Sequence, residues 1–174
     1  MKYFVKFFVV TFFLIFYTDV SAEQKIVVLD LKYVLNNSKA GAGAQVYLKK
    51  TFNDNLKKYT DMEKALKKDE QDLLNKKTVL SKEEYTKKSD TLRKKVIDFQ
   101  SQRRASLDKI ATQRSESRAT LIKNITPILE TYIKENDISI VIDKKNTLGG
   151  KPEYDITKII VEKLDKVLPS LNLK

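Results

Sequence analysis

Between Ala44 and Glu135 the chain carries no glycine and a single proline, Pro127, and the stretch is dominated by Lys, Glu, Gln, Leu and Ala. Such side chains lose little rotamer freedom on a helix, so this whole segment is expected to be helical. Its apolar residues approximate a heptad: Phe52, Leu56, Tyr59, Leu66, Leu73 and Leu80 fall on alternating steps of four and three, with Glu63, Glu70 and Lys77 filling the gaps. Tyr85, Leu92, Val96, Phe99 and Ile110 follow the same rule, interrupted by Arg103 and Ser106. A complete seam would zip into a tight coiled coil. A seam broken this often favours looser, partly solvated contacts.

A break falls at Asn75–Ser81, where Ser81-Lys82-Glu83-Glu84 has the form of a capping box and restarts the helix. The cap favours an antiparallel hairpin with its tip near 75–81, each arm of about 36 residues reaching roughly 54 Å. The alternative is one continuous helix of about 90 residues.

The flanks read differently. Lys25–Leu31 (KIVVLDL) is a short β-branched run, a buried strand. Asn36–Gly43 collects turn formers and marks a break, and Pro127 should kink or end the second helix. Asn136-Asp137 introduces a second strand, with Ile138, Ile140 and Ile142 alternating. After the loop at Gly149-Gly150 and Pro152, Asp155 or Thr157 caps a final helix. Ile156, Ile159, Ile160, Leu164, Val167 and Leu168 share one face of it, and Pro169 ends it.

The fold class is therefore α+β, mainly α: a long antiparallel helical hairpin, a coiled-coil-like tentacle over 45–125, projecting from a small β-containing body split between 23–44 and 126–174. A body of two or three strands and a short helix has a marginal core, and its strand edges invite pairing with other copies. Assembly into an oligomer through the body is expected.

The first 22 residues have the layout of a secretory signal peptide: Lys2 and Lys6, an apolar stretch from Phe7 to Tyr17, then Val20-Ser21-Ala22 as a cleavage site after Ala22. The apolar stretch is short for a bilayer span, although an uncleaved anchor is the alternative. Export without any cysteine means that no disulfide holds the fold. The absence of His removes Ser-His-Asp and Cys-His catalysis and most zinc sites. No nucleophile–base pair, metal cluster or phosphate loop can be assembled, so an enzyme is not expected and no cofactor is implied.

Charge carries more information. Of the formal +11, residues 45–125 hold 21 Lys+Arg against 12 Asp+Glu, a net of +9. A basic surface so localised implies an acidic partner: an acidic polypeptide, anionic lipid or nucleic acid.

Three weaker patterns have ordinary explanations. Gly41-Ala42-Gly43 lacks the third glycine of a dinucleotide fingerprint, Val46 standing in its place, and reads as a helix entry. The triplets at Asn36 and Asn124 match a glycosylation pattern by chance. Asp30 and Asp143 each follow a strand and read as turn formers rather than paired catalytic carboxylates.

The run KIVVLDLKYVLNNS, the helix entry SKAGAGAQVYLKKTF, the strand DISIVIDKKN and the late YDITKIIVEKLDK occur here in that order. In this the chain resembles the Skp/OmpH family over essentially its whole length after residue 22. The resemblance implies a jellyfish-shaped homotrimer with three hairpin tentacles around a cavity. It also implies a periplasmic, ATP-independent holdase for unfolded outer-membrane β-barrel proteins. On that reading Lys76, Lys77, Lys82, Lys87 and Lys88 near the tip, with Arg103 and Arg104 on the second helix, are the client-binding candidates. Some family members bind lipopolysaccharide through basic helix residues, and Arg114 and Arg118, one turn apart, are the nearest counterparts. The rival readings are a basic coiled-coil envelope adaptor, which would want a more regular heptad, and a nonspecific nucleic-acid or anionic-lipid binder. Export and the lack of aromatic stacking platforms count against nucleic acid.

Overall fold

A computed structural model describes residues 24–174 of the chain; the expected signal segment and its cleavage site lie outside the described residues. The elements are β1 (Lys25–Leu29), α1 (Leu31–Asn37), α2 (Lys39–Asn75), α3 (Lys82–Glu135), β2 (Ile138–Asp143), two single 3-10 turns (Lys144–Asn146 and Pro152–Tyr154) and α4 (Thr157–Val167). The fold is α+β and mainly helical. No helix among the described residues is long and apolar enough to cross a membrane.

The long glycine-free stretch forms two helices rather than one. α2 ends at Asn75, and Ser81 caps α3, with its hydroxyl accepting from the Glu84 N–H (3.3 Å) and the Glu84 carboxylate accepting from the Ser81 N–H (3.1 Å). Pro127 neither ends nor interrupts α3, which runs on to Glu135. A proline in a helix interior costs about 3 kcal/mol. Here Ile125, Ile128, Leu129, Tyr132 and Ile133, around and beyond it, pack in or against the core, and their burial offsets that cost.

The segment 31–43 departs from expectation. Asp30 closes β1 and at once caps α1, accepting from the Tyr33 N–H at 2.7 Å. α1 then meets α2 at a sharp corner on Ser38, which is completely buried and whose hydroxyl accepts from the Gly41 N–H (3.2 Å). The break expected over Asn36–Gly43 is this corner, and Gly41 and Gly43 lie in the opening turns of α2, as a helix entry requires. The reason at Gly41 is space: a Cβ there would lie 2.0 Å from the Leu35 carbonyl oxygen, whereas at Gly43 it would meet nothing within 4 Å.

The sheet has two strands, which run parallel, with Ile26 opposite Ile140, Val27 opposite Val141 and Val28 opposite Ile142. The Ile156 N–H adds a further bond to the free edge of β1 at the Val28 carbonyl (3.0 Å). The register shifts between Lys25 and Ile26, where Ser139 is the extra residue on β2. The shift breaks the alternation expected for β2: Ile138 is buried, while Ile140 is 47% exposed on the opposite face. Val27 and Leu29 face the core, which Val34, Leu35, Leu121, Ile125, Ile160 and Leu164 complete. α4 turns Ile160 and Leu164 fully inward but leaves Ile159 and Val167 at its margins. Neither Asp155 nor Thr157 is its N-cap residue, which is Ile156; the Asp155 carboxylate instead accepts from the Thr157 N–H (3.0 Å). The Thr157 hydroxyl accepts from the Asp30 N–H (2.8 Å), tying α4 to the end of β1.

The two helical glycines should respond oppositely to the same substitution. Gly41→Ala should destabilise the protein by about 2 kcal/mol through overpacking at the corner. Gly43→Ala, exposed and unobstructed, should stabilise it by about 0.5–1 kcal/mol. Urea unfolding of the two variants checks both signs.

Candidate functional site

The arm formed by α2 and α3 changes character along its length. Near the body, Ala40, Ala44 and Leu48 on α2, and Ile110, Ser117 and Leu121 on α3, are buried. The small residues among them let the helices approach closely. Further out comes an aromatic node: the rings of Tyr59 and Phe99 meet edge to face at 6.1 Å, and the Tyr59 hydroxyl donates to the Gln102 carbonyl at 2.9 Å. From Thr60 to Asp98 no residue is buried. One interhelical ion pair, Lys95 with Asp69 at 2.7 Å, bridges this outer part; the other arm ion pairs among the described residues, Glu63–Lys67 and Asp90–Arg93, lie within a single helix.

The loosening opens a groove of about 900 Å³ between the helices. Leu66, Leu73, Leu74, Tyr85, Leu92, Val96, Phe99 and Leu107 supply its apolar lining, with Glu63, Lys67, Glu70, Arg93, Arg103 and Arg104 among its polar residues. The Glu63 carboxyl is held below its usual value by its hydrogen bond and charge pairing with Lys67, and to a lesser degree by the charge of Arg103.

The broken heptad locates most of this lining, since Leu66, Leu73, Tyr85, Leu92, Val96 and Phe99 all face the groove. It misplaces Phe52 and Leu56, which are 43% and 54% exposed. The buried residues of α2 here are Leu48 and Tyr59, eleven apart, and those of α3 are Phe99 and Ile110, also eleven apart. Eleven residues make three nearly straight helical turns, and between Leu48 and Tyr59 the partly covered residues are Thr51 and Asn55, while Phe52 and Leu56 stand beside them in solvent. Leu74, Arg93 and Leu107 were not anticipated as groove residues.

The candidate charged residues separate into three sets. Lys76 and Lys77 stand in the tip turn, and Lys82, Lys87 and Lys88 in the first turns of α3; all five are exposed. Arg103 and Arg104 line the body-ward end of the groove. Arg114 and Arg118 are exposed on α3 nearer the body and do not join the groove.

A second concave surface, of about 1190 Å³, lies on the outer face of the sheet. Ile26, Val28, Ile142 and Tyr154 form its apolar part, beside Lys144, Asp155 and the loop through Gly149-Gly150. Lys144 and Asp155 pair at 2.6 Å. Burial pushes the Asp155 carboxyl up, but hydrogen bonds from the Lys144 ammonium and from Thr157, with the Lys144 charge, outweigh it and hold the group below its ordinary 3.8.

Two predictions follow from this geometry. Phe99→Ala should cost about 3 kcal/mol, whereas Leu66→Ala or Leu73→Ala, in the open half, should each cost about 1 kcal/mol or less; equal costs in urea unfolding would contradict the gradient. Asp155 binds its proton less readily in the folded than in the unfolded chain. Its contribution is therefore present above pH 3.8 and lost as pH falls through the lower folded value. The thermal midpoint of Asp155→Asn should lie below that of the parent at pH 7, by a loss of no more than about 1 kcal/mol, and the two should converge as the pH drops below 3.8.

Comparison with known proteins points one way. The model of the family described as "OmpH: Outer membrane protein (OmpH-like)" matches residues 25–164. A Skp-like protein of Pseudomonas aeruginosa is 25% identical over 167 residues, which span 96% of this chain and 99% of the relative. The crystal structure of a candidate outer membrane chaperone (OmpH-like) from Caulobacter crescentus CB15 superposes with a TM-score of 0.78 at 16% identity, covering 87% of this chain and 89% of that one, and so shares its fold.

Proposed function

The chain belongs to the OmpH-like outer membrane protein family, and from that membership and the open outer arm we propose that it is a non-enzymatic, ATP-independent holdase for unfolded outer-membrane proteins. The supporting observation is the run from Thr60 to Asp98, in which no side chain is buried although an apolar seam runs through it. A helical pair that spent its apolar residues on its own stability would bury them. This pair leaves part of each seam residue in solvent, where a client can reach it.

In this reading 45–125 is the working arm, and 23–44 with 126–174 is the body through which three copies assemble. The outward apolar face of the sheet, with Ile26 and Ile140 at 42% and 47% exposure, supports assembly there, because a face of that kind on so small a sheet gains by being covered. Residues 1–22 direct export to the periplasm, where no nucleotide is at hand and capture must be passive. Lys76, Lys77, Lys82, Lys87 and Lys88 draw acidic clients toward the arm, and Arg103 and Arg104 meet them inside it. Arg114 and Arg118 are the positions a lipopolysaccharide phosphate would meet.

The test is aggregation of a urea-diluted outer-membrane barrel protein with and without the purified chain, in the absence of nucleotide. Suppression should saturate near three chains per client. Changing the five tip lysines to Gln should slow capture about tenfold at low salt, with the difference closing at about 1 M salt, where charges are screened beyond roughly 3 Å. Unimpeded aggregation in the presence of a folded, oligomeric chain would favour an envelope adaptor instead.

A further inference from the structure

The groove of the outer arm has a length, a cross-section and a charge that select among possible occupants. From Tyr85 to Leu107 it follows α3 for roughly 33 Å at 1.5 Å per residue. An extended polypeptide rises about 3.3 Å per residue, so roughly ten residues span it. An α-helix of the same length, about 10 Å across, displaces well over twice the groove's 900 Å³ and would stand largely outside. An extended segment presents every second side chain to one face, and the groove's apolar row, with Leu66 and Leu73 on one wall and Leu92 and Val96 on the other, receives such a face. A barrel strand crosses a membrane in about 9–11 residues, with apolar side chains at alternate positions.

The charges add a direction. Lys67 is paired with Glu63 and Arg93 with Asp90, so these four residues largely neutralise one another. Arg103 and Arg104, at the body-ward end, form no ion pair among the described residues. Two guanidinium groups at the end of an apolar trough, of which Arg103 also reaches the Glu63 carboxylate with its charge, fit a further carboxylate, which a guanidinium can hold bidentately.

We infer that the groove holds one strand-length of unfolded polypeptide at a time, extended, with alternate apolar side chains inserted and an acidic residue against Arg103 and Arg104. This rests on the holdase reading and names the form in which the client is held. Clients are then gripped by strand-sized units before any strand has paired, which leaves the rest of the chain free to move.

The experiment uses the full chain and three fluorescein-labelled ten-residue peptides: alternating Leu and Asn with Glu at one end, the same peptide with Lys in place of Glu, and a variant of the first with its leucines contiguous. Binding is read by anisotropy, and a photo-crosslinker at the central residue maps the contact. The Glu peptide should bind at least tenfold more tightly than the Lys peptide and several-fold more tightly than the contiguous one, and it should crosslink between Leu66 and Leu107. Arg103→Gln with Arg104→Gln should bring the Glu and Lys peptides to near parity while the helical circular dichroism is unchanged. Leu92→Ser should weaken all three. Equal binding of Glu and Lys peptides by the parent chain, or crosslinks falling on the outer sheet face, would overturn the inference. If that happened while the chain still suppressed aggregation of a barrel protein, the holdase reading would survive without the groove. If the peptides behaved as expected but aggregation were not suppressed, the groove inference would stand and the holdase reading would fall.

Discussion

The parallel pairing of β1 with β2 joins segments on opposite sides of the entire hairpin. Val27 lies opposite Val141, and everything between them, both arm helices included, is the crossover connection of one parallel strand pair. Parallel strands need a long connection, and here the connection is the whole helical arm. The pairing also sets the floor on which α1, α4 and the root of α3 pack, so the body's core exists only while the two ends of the arm are held side by side. The bonds at the far edge of β1, from Ile156 to Val28 and from Asp30 to Thr157, extend the same clasp to α4.

Seen from that clasp outward, the arm grades from closely packed to open. Ala44 and Leu48 sit in a buried stripe, Tyr59 and Phe99 close the last buried layer, and beyond them every apolar residue of the seam keeps part of its surface in solvent. The gradient lets one hairpin combine a rigid root with an adaptable end. It also separates the charges by surroundings: those at the tip stand in open solvent, whereas Arg103 and Arg104 border an apolar surface. Near such a surface a charge is less screened and its partner more tightly specified.

What could be read from the sequence was whatever rests on local chemistry. The capping box at Ser81, the two strands and the long helices follow from residue types within a few positions of one another, and they form as expected. The break over Asn36–Gly43 also forms, as a corner on Ser38, although the need for glycine at 41, set by the Leu35 carbonyl across that corner, is one that no linear reading displays. Two misreadings share a cause. Ile140 looks inward-facing until the extra residue Ser139 shifts the register against a partner strand more than a hundred positions away. Pro127 reads as a kink or an end, and α3 does not end there because the compensating burial of residues on either side of it comes from other elements. In the arm, a heptad assumes supercoiling, whereas the buried residues on both helices at the Tyr59–Phe99 node recur at eleven-residue steps, and between Leu48 and Tyr59 the covered positions fall on Thr51 and Asn55 rather than on the larger Phe52 and Leu56.

The clasp also governs the order in which the molecule can come together. Closing a flexible loop of the more than one hundred residues between β1 and β2 would cost about 4 kcal/mol in chain entropy, more than two short strands can readily return. Once α2 and α3 have zipped from their tip turn back toward the root, the two strands are delivered to each other and that cost has largely been met in small local steps. The hairpin must therefore form before the sheet. During synthesis β1 emerges early and stays without its partner until nearly the whole arm has followed it. For that interval an apolar strand, with Ile26, Val27 and Val28 in a row, stands unpaired, and a protein whose proposed task is to shield such segments in others begins by exposing one of its own.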